Sequence, residues 1–166
     1  MTEKQFDEMM NHVEQQLKSA GLNVKMITTP DGKMLRTQVP CGETDSALVD
    51  ITALTTAAGT EVAQIYFTLT ADLTENAAAE LRKAFPALNF YTIIGSYGIY
   101  DGGQVYYKYA VPLSEVDDSE LRASEILDAY AVAYEFLTQG YDIVMALADG
   151  KMDYETVRSK GLIPEF

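Results

Sequence analysis

Imidazole and thiol groups, which could activate a nucleophile or hold a soft metal, are few here: one histidine, His12, and one cysteine, Cys41. A hydrolytic triad needs the histidine to face a nucleophile, and no G-x-S-x-G elbow accompanies it. As a metal ligand His12 lacks histidine or cysteine company, because Cys41 is a lone thiol in the VPCGE turn. Glu8 stands one helical turn before His12, the setting of a solvated histidine on a helix surface. The glycines of IIGSYGIYDGG match neither a dinucleotide fingerprint nor a Walker loop. They read as strand bends and a hairpin turn. Close approach of a ligand to the backbone near Gly95 and Gly98 is the functional alternative.

Acid clusters invite a carboxylate-pair or divalent-metal reading. Asp117-Asp118-Ser119-Glu120 sits where a helix N-terminus favours negative charge. Asp128, Glu135, Asp142 and Asp149 recur at heptad spacing, roughly 10 Å apart along a helix axis. That is too far for one ion. They form a solvated face or, on the sharper reading, a docking strip for a basic partner. No catalytic residue, metal site or cofactor emerges, and an enzyme is not expected.

Tyrosine is the informative excess, with eleven residues against no tryptophan. Tyr91, Tyr97, Tyr100, Tyr106, Tyr107 and Tyr109 crowd one stretch, while Tyr130, Tyr134 and Tyr141 line the last helical segment. Strand alternation puts Tyr107 and Tyr109 on one sheet face and Tyr106 with Lys108 on the other. Tyrosines add area and a hydroxyl at low entropy cost, which suits protein interfaces. Tyr106, Tyr107, Tyr109 and Tyr97 are therefore the expected partner-binding residues.

The elements that must position them follow from periodicity. Thr2 and Gln5 form a capping-box pattern, and Phe6, Met9, Met10, Val13 and Leu17 make one apolar stripe, so a helix is predicted over roughly 3–20. Segments 23–28 and 34–39 flank Pro30-Asp31-Gly32, and SALVDITALTTAAGTEVAQIYFTLT divides at Ala58-Gly59-Thr60. Four strands in meander order result. Thr74 caps a second helix that should stop at Pro86. A hairpin, 89–100 with 104–111, turns at Asp101-Gly102-Gly103. A long helix then starts at Asp117 or Asp118, with Leu127, Tyr130, Tyr134, Leu137, Tyr141, Val144 and Ala148 as its seam. Gly140 marks a place where it would bend.

The fold class is thus α+β: an antiparallel sheet of about six strands with an N-terminal, a middle and a long C-terminal helix. Residues 1–150 form a single domain, and 151–166 a short helical tail. Twelve Lys and Arg against 25 acids give a net charge of −13, which excludes the basic footprint of a nucleic-acid binder and disfavours an anionic membrane surface. No apolar run is long enough to span a bilayer, and the first residues hold no signal-peptide core. With a free thiol as well, the expected address is the cytoplasm.

The order of elements resembles the type III secretion chaperone-like fold, and within it the YbjN group of putative bacterial sensory-transduction regulators. The resemblance spans roughly residues 3–149. It is carried by the Pro-Asp-Gly hairpin after the first helix, Ala-Phe-Pro-Ala-Leu-Asn at 84–89 and GGQVYYKYAVPLS at 102–114. It implies a cytosolic, acidic, often dimeric protein-binding domain without enzyme activity, and it supplies no site residues. The longer last helix and added tail depart from that pattern.

The expected function is a non-enzymatic protein-interaction module, chaperone-like or a regulatory adaptor, binding a protein or peptide or pairing with itself. Acids at the rim would steer a basic partner. The alternative is a small-molecule sensor with a pocket between the sheet and the long helix.

Overall fold

The computed structural model describes residues 1–30, 32–43, 45–70, 72–100 and 103–163. Helix α1 spans Glu3–Ser19, and Thr2 closes the expected capping box: its side chain accepts from the Gln5 N–H, and the Gln5 side chain accepts from the Thr2 N–H. Met9, Met10, Val13 and Leu17 are its buried stripe. Strands β1 (Lys25–Thr29), β2 (Gly32–Cys41), β3 (Asp45–Thr55) and β4 (Glu61–Thr70) follow as an antiparallel meander. After helix α2 (Glu75–Tyr91), β5 (Ser96–Ile99) and β6 (Val105–Pro112) complete the sheet. Its order is β1-β2-β3-β4-β6-β5, with every pairing antiparallel. The turn residues Asp31, Asp101 and Gly102, and Phe166 of the tail, lie outside the described residues.

Helix α3 (Ser119–Ala148) starts at Asp118, whose side chain accepts from the Glu120 and Leu121 N–H groups at 3.0 Å. It packs against α1 and α2 and crosses β4 and β6. The core lies between these helices and one face of the sheet, where Leu35, Val49, Ile51, Ile65, Phe67 and Tyr107 are enclosed. The short helix α4 (Tyr154–Ser159) docks on α2, the Tyr154 N–H donating to a Glu80 carboxylate oxygen at 2.8 Å. Val157 and Ile163 enter the same core.

Four expectations need correction. Pro86 does not stop α2, which continues to Tyr91. Pro86 and Arg82 both lie on the exposed side, where water can satisfy the Arg82 carbonyl that proline leaves unpaired. Burial of Ala84, Phe85, Ala87 and Leu88 on the other side offsets the loss. The strand expected from 89 consequently shrinks to Ser96–Ile99.

The buried side of α3 is also offset from the expected seam. Ile126, Ala129, Ala133, Leu137, Tyr141 and Val144 are buried, whereas Leu127, Tyr130 and Tyr134 are half-buried beside them. Small alanines bring the helix close to the sheet and leave the rings to wrap its flank. Nor does Gly140 interrupt the helix. A Cβ there would lie 2.5 Å from the Tyr97 hydroxyl, which donates to the Leu137 carbonyl at 3.0 Å. The glycine makes room for a ring from β5. Asp128, Glu135, Asp142 and Asp149 are all exposed.

Candidate partner-binding face

Tyrosines divide between the two sides of the sheet. Tyr107 is fully enclosed: its ring lies 6.1 Å from Phe67 and 4.9 Å from Tyr97, and its hydroxyl donates to the Ile94 carbonyl at 2.5 Å. Tyr97 stacks on Phe85 at 6.2 Å, and the Asn89 amide clamps its backbone from both sides. Tyr109 is half-buried on the same face. Tyr97 and Tyr107 are thus core residues, and the expectation that they meet a partner is corrected. The cause is register, since each shares its row with Phe67 beneath α3.

The opposite face carries no packed helix among the described residues. Across it Lys25, Arg36, Asp50, Tyr66, Lys108 and Ser96 stand in one register row. Arg36 grips Asp50 through two hydrogen bonds of 2.7 and 2.8 Å. Tyr106 sits beside Thr68 and Gly98 in the adjoining row, so it remains with Lys108 as expected. A residue at 98 with a Cβ would run into the Tyr106 ring, so glycine lets the phenol lie across β5. The Tyr100 ring then lies tilted 4.5 Å from Tyr106 and stacked 6.2 Å from Tyr66, and the Lys108 ammonium stands 4.9 Å from the Tyr66 ring. The result is a cluster of three phenols and one cation.

Alternation alone indicated Tyr106 and Lys108. Tyr66 and Tyr100 were missed because cross-strand register brings them there from another strand and from the turn. The residual signal was Tyr66 among the polar members of the Ile65–Phe67–Leu69 alternation.

Gly95 and Gly98, considered for ligand approach, are occupied by the protein itself. Tyr107 fills the space beside Gly95, and Tyr106 that beside Gly98. A cleft of about 540 Å³ opens elsewhere, where the start of α1 meets β1, β2 and the end of β3; Phe6, Thr28, Met34 and Leu54 line it. The Cys41 thiol is buried and pushed up by that burial, so it carries little thiolate. His12 is exposed on α1. Among the described residues, no three His, Cys, Asp or Glu side chains group as metal ligands would, and no helix is long and apolar enough to cross a membrane.

Burial is the main cause of the phenol shifts, aided at Tyr100 by the neighbouring Tyr66 phenol. Tyr100, Tyr130 and Tyr141 are each raised to about 12, and Tyr97 and Tyr107 are raised further. The native protein therefore retains phenolic protons that the unfolded chain releases near pH 10. Between the two values the unfolded state binds fewer protons, so stability falls as pH rises. Unfolding should begin above pH 10, and the phenolate absorbance of these five rings should rise together with the loss of helical circular dichroism. Ionisation of all eleven tyrosines before helical structure is lost would contradict this assignment.

No protein-family model and no curated protein matches the chain. The tyrosine face therefore stands on its own geometry.

Proposed function

We propose that this protein is a non-enzymatic protein-interaction module of a bacterial cytosol, chaperone-like or a regulatory adaptor, that docks a partner on its uncovered sheet face. The observation that carries the reading is the cluster of Tyr66, Tyr100, Tyr106 and Lys108 on that face. Preformed ring contacts lower the entropy cost of presenting aromatic anchors, and the flanking Arg36–Asp50 pair gives a polar surround. The element order is also the one that a YbjN-like, often dimeric domain would have. A second copy of the chain is therefore one admissible partner.

A photocrosslinking side chain at Tyr100 tests this, with His12 as the exposed control on α1. Irradiation in cells should give a discrete adduct from position 100 alone. Tyr66→Ala with Lys108→Glu should abolish it while leaving the melting temperature within a few degrees. Identical adducts from both positions, or none from position 100, would retire the proposal.

A further inference from the structure

Strand β6 outruns its edge neighbour. Pairing with β5 ends at Ser96 opposite Lys108, yet β6 continues to Pro112. Gly95, with φ of 72°, turns the preceding chain away, and Ile94 is held by the Tyr107 hydroxyl. The Leu113 N–H donates to the Glu61 carbonyl at 2.9 Å, so odd-numbered residues of β6 address β4. Those of even number point outward. Ser114, the next outward amide, donates to Glu125 at 3.0 Å. Between Lys108 and Ser114 the Ala110 N–H and C=O and the Pro112 C=O face the vacated edge, and they meet no partner among the described residues.

Beside this edge runs a groove of about 420 Å³ against the flank of α3. Ile94, Tyr109, Val111 and Val132 give it an apolar floor, and Glu125 and Asp128 an acidic rim. Val132 is 40% exposed, and no lysine or arginine lines the groove. A strand edge offers main-chain hydrogen bonds, while the groove, floor and rim together, receives every second side chain of an added strand. Pro112 lacks an N–H, which limits indiscriminate pairing.

We infer that the groove between β6 and α3 takes an extended segment of a partner polypeptide as a strand beside Tyr109–Pro112, with apolar and basic side chains sharing the strand face turned to α3. Apolar side chains would enter toward Val111 and Val132, and basic ones would meet Asp128 and Glu125. The chain's charge of −13 favours the same sign of partner. This surface lies around the sheet edge from the tyrosine cluster, and the inference stands without it.

The test titrates the full-length, isotopically labelled protein with a capped heptapeptide whose odd positions are valine and lysine by turns and whose even positions are threonine. Amide resonances of Ala110, Val111, Asp128 and Val132 should shift most. Methylating alternate peptide nitrogens should weaken binding by roughly tenfold, because the edge hydrogen bonds are lost. Asp128→Lys should weaken it about fivefold, and the same peptide with glutamate in place of lysine should not bind. Equal affinity of the methylated peptide, or shifts scattered over the acidic surface, would overturn the inference. So would shifts that follow protein concentration alone, which would mean that two copies pair at this edge.

Discussion

Replacing Phe67 with alanine is expected to cost about 3–5 kcal/mol of unfolding free energy. The ring is fully enclosed, with Tyr107, Tyr130 and Tyr134 centred 6.1 to 6.4 Å away. It joins β4 to β6 and to α3, so truncation removes contacts to two other elements. The neighbours cannot collapse readily into the space. The Tyr107 hydroxyl is tied to Ile94, the Tyr134 hydroxyl to the Pro40 carbonyl at 2.5 Å, and both rings would have to abandon those bonds to move. Such a loss is a large share of the roughly 5–15 kcal/mol available to a domain. Urea unfolding should show the midpoint falling with an unchanged slope. The adjacent Tyr66→Ala, on the open face, should cost under about 1 kcal/mol. Equal effects at 66 and 67 would mean that the sheet is not sealed on one side.

Gly95→Ala should be nearly as damaging, at roughly 3–5 kcal/mol, from backbone strain together with a collision that only a lost hydrogen bond can relieve. The backbone there has φ of 72°, which alanine adopts only at a cost. Its Cβ would collide with the buried Tyr107 ring and stand 2.9 Å from the Lys108 carbonyl, part of the backbone. Relief would require breaking the Tyr107–Ile94 hydrogen bond. Gly98→Ala is the informative comparison. There too a ring is in the way, but Tyr106 is half-exposed and can swing into solvent, and φ is not positive. A cost well below that of Gly95→Ala is expected in thermal or urea unfolding. Matching costs would show that crowding alone, rather than an immovable neighbour, sets the penalty.

These glycines explain why the candidate site was only half legible in the sequence. Around 95 and 98 they resembled room left for a ligand, yet each accommodates a tyrosine from the paired strand, a long-range match that no local pattern encodes. Gly140 makes the same provision for Tyr97 from within a helix. Tyr106, Tyr107 and Tyr109 were separable by alternation, but which row faced the helices depended on the register of β6 against β4. Pro86 misled for a related reason: its propensity is local, whereas the burial that carries α2 past it is tertiary.

Thr2, Thr74 and Asp118 cap their helices as the sequence alone required, because a cap spans only a few residues and needs nothing distant. The meander of four strands, the closing hairpin and the long last helix were likewise set by periodicities of two and of three to four residues. What tertiary structure decided was the fate of the aromatic rings: Tyr97 and Tyr107 inward, Tyr66, Tyr100 and Tyr106 outward. It also left β6 longer than β5. Both outcomes depend on strand register, which is fixed by the summed fit of many side chains across the sheet and is written in no single segment.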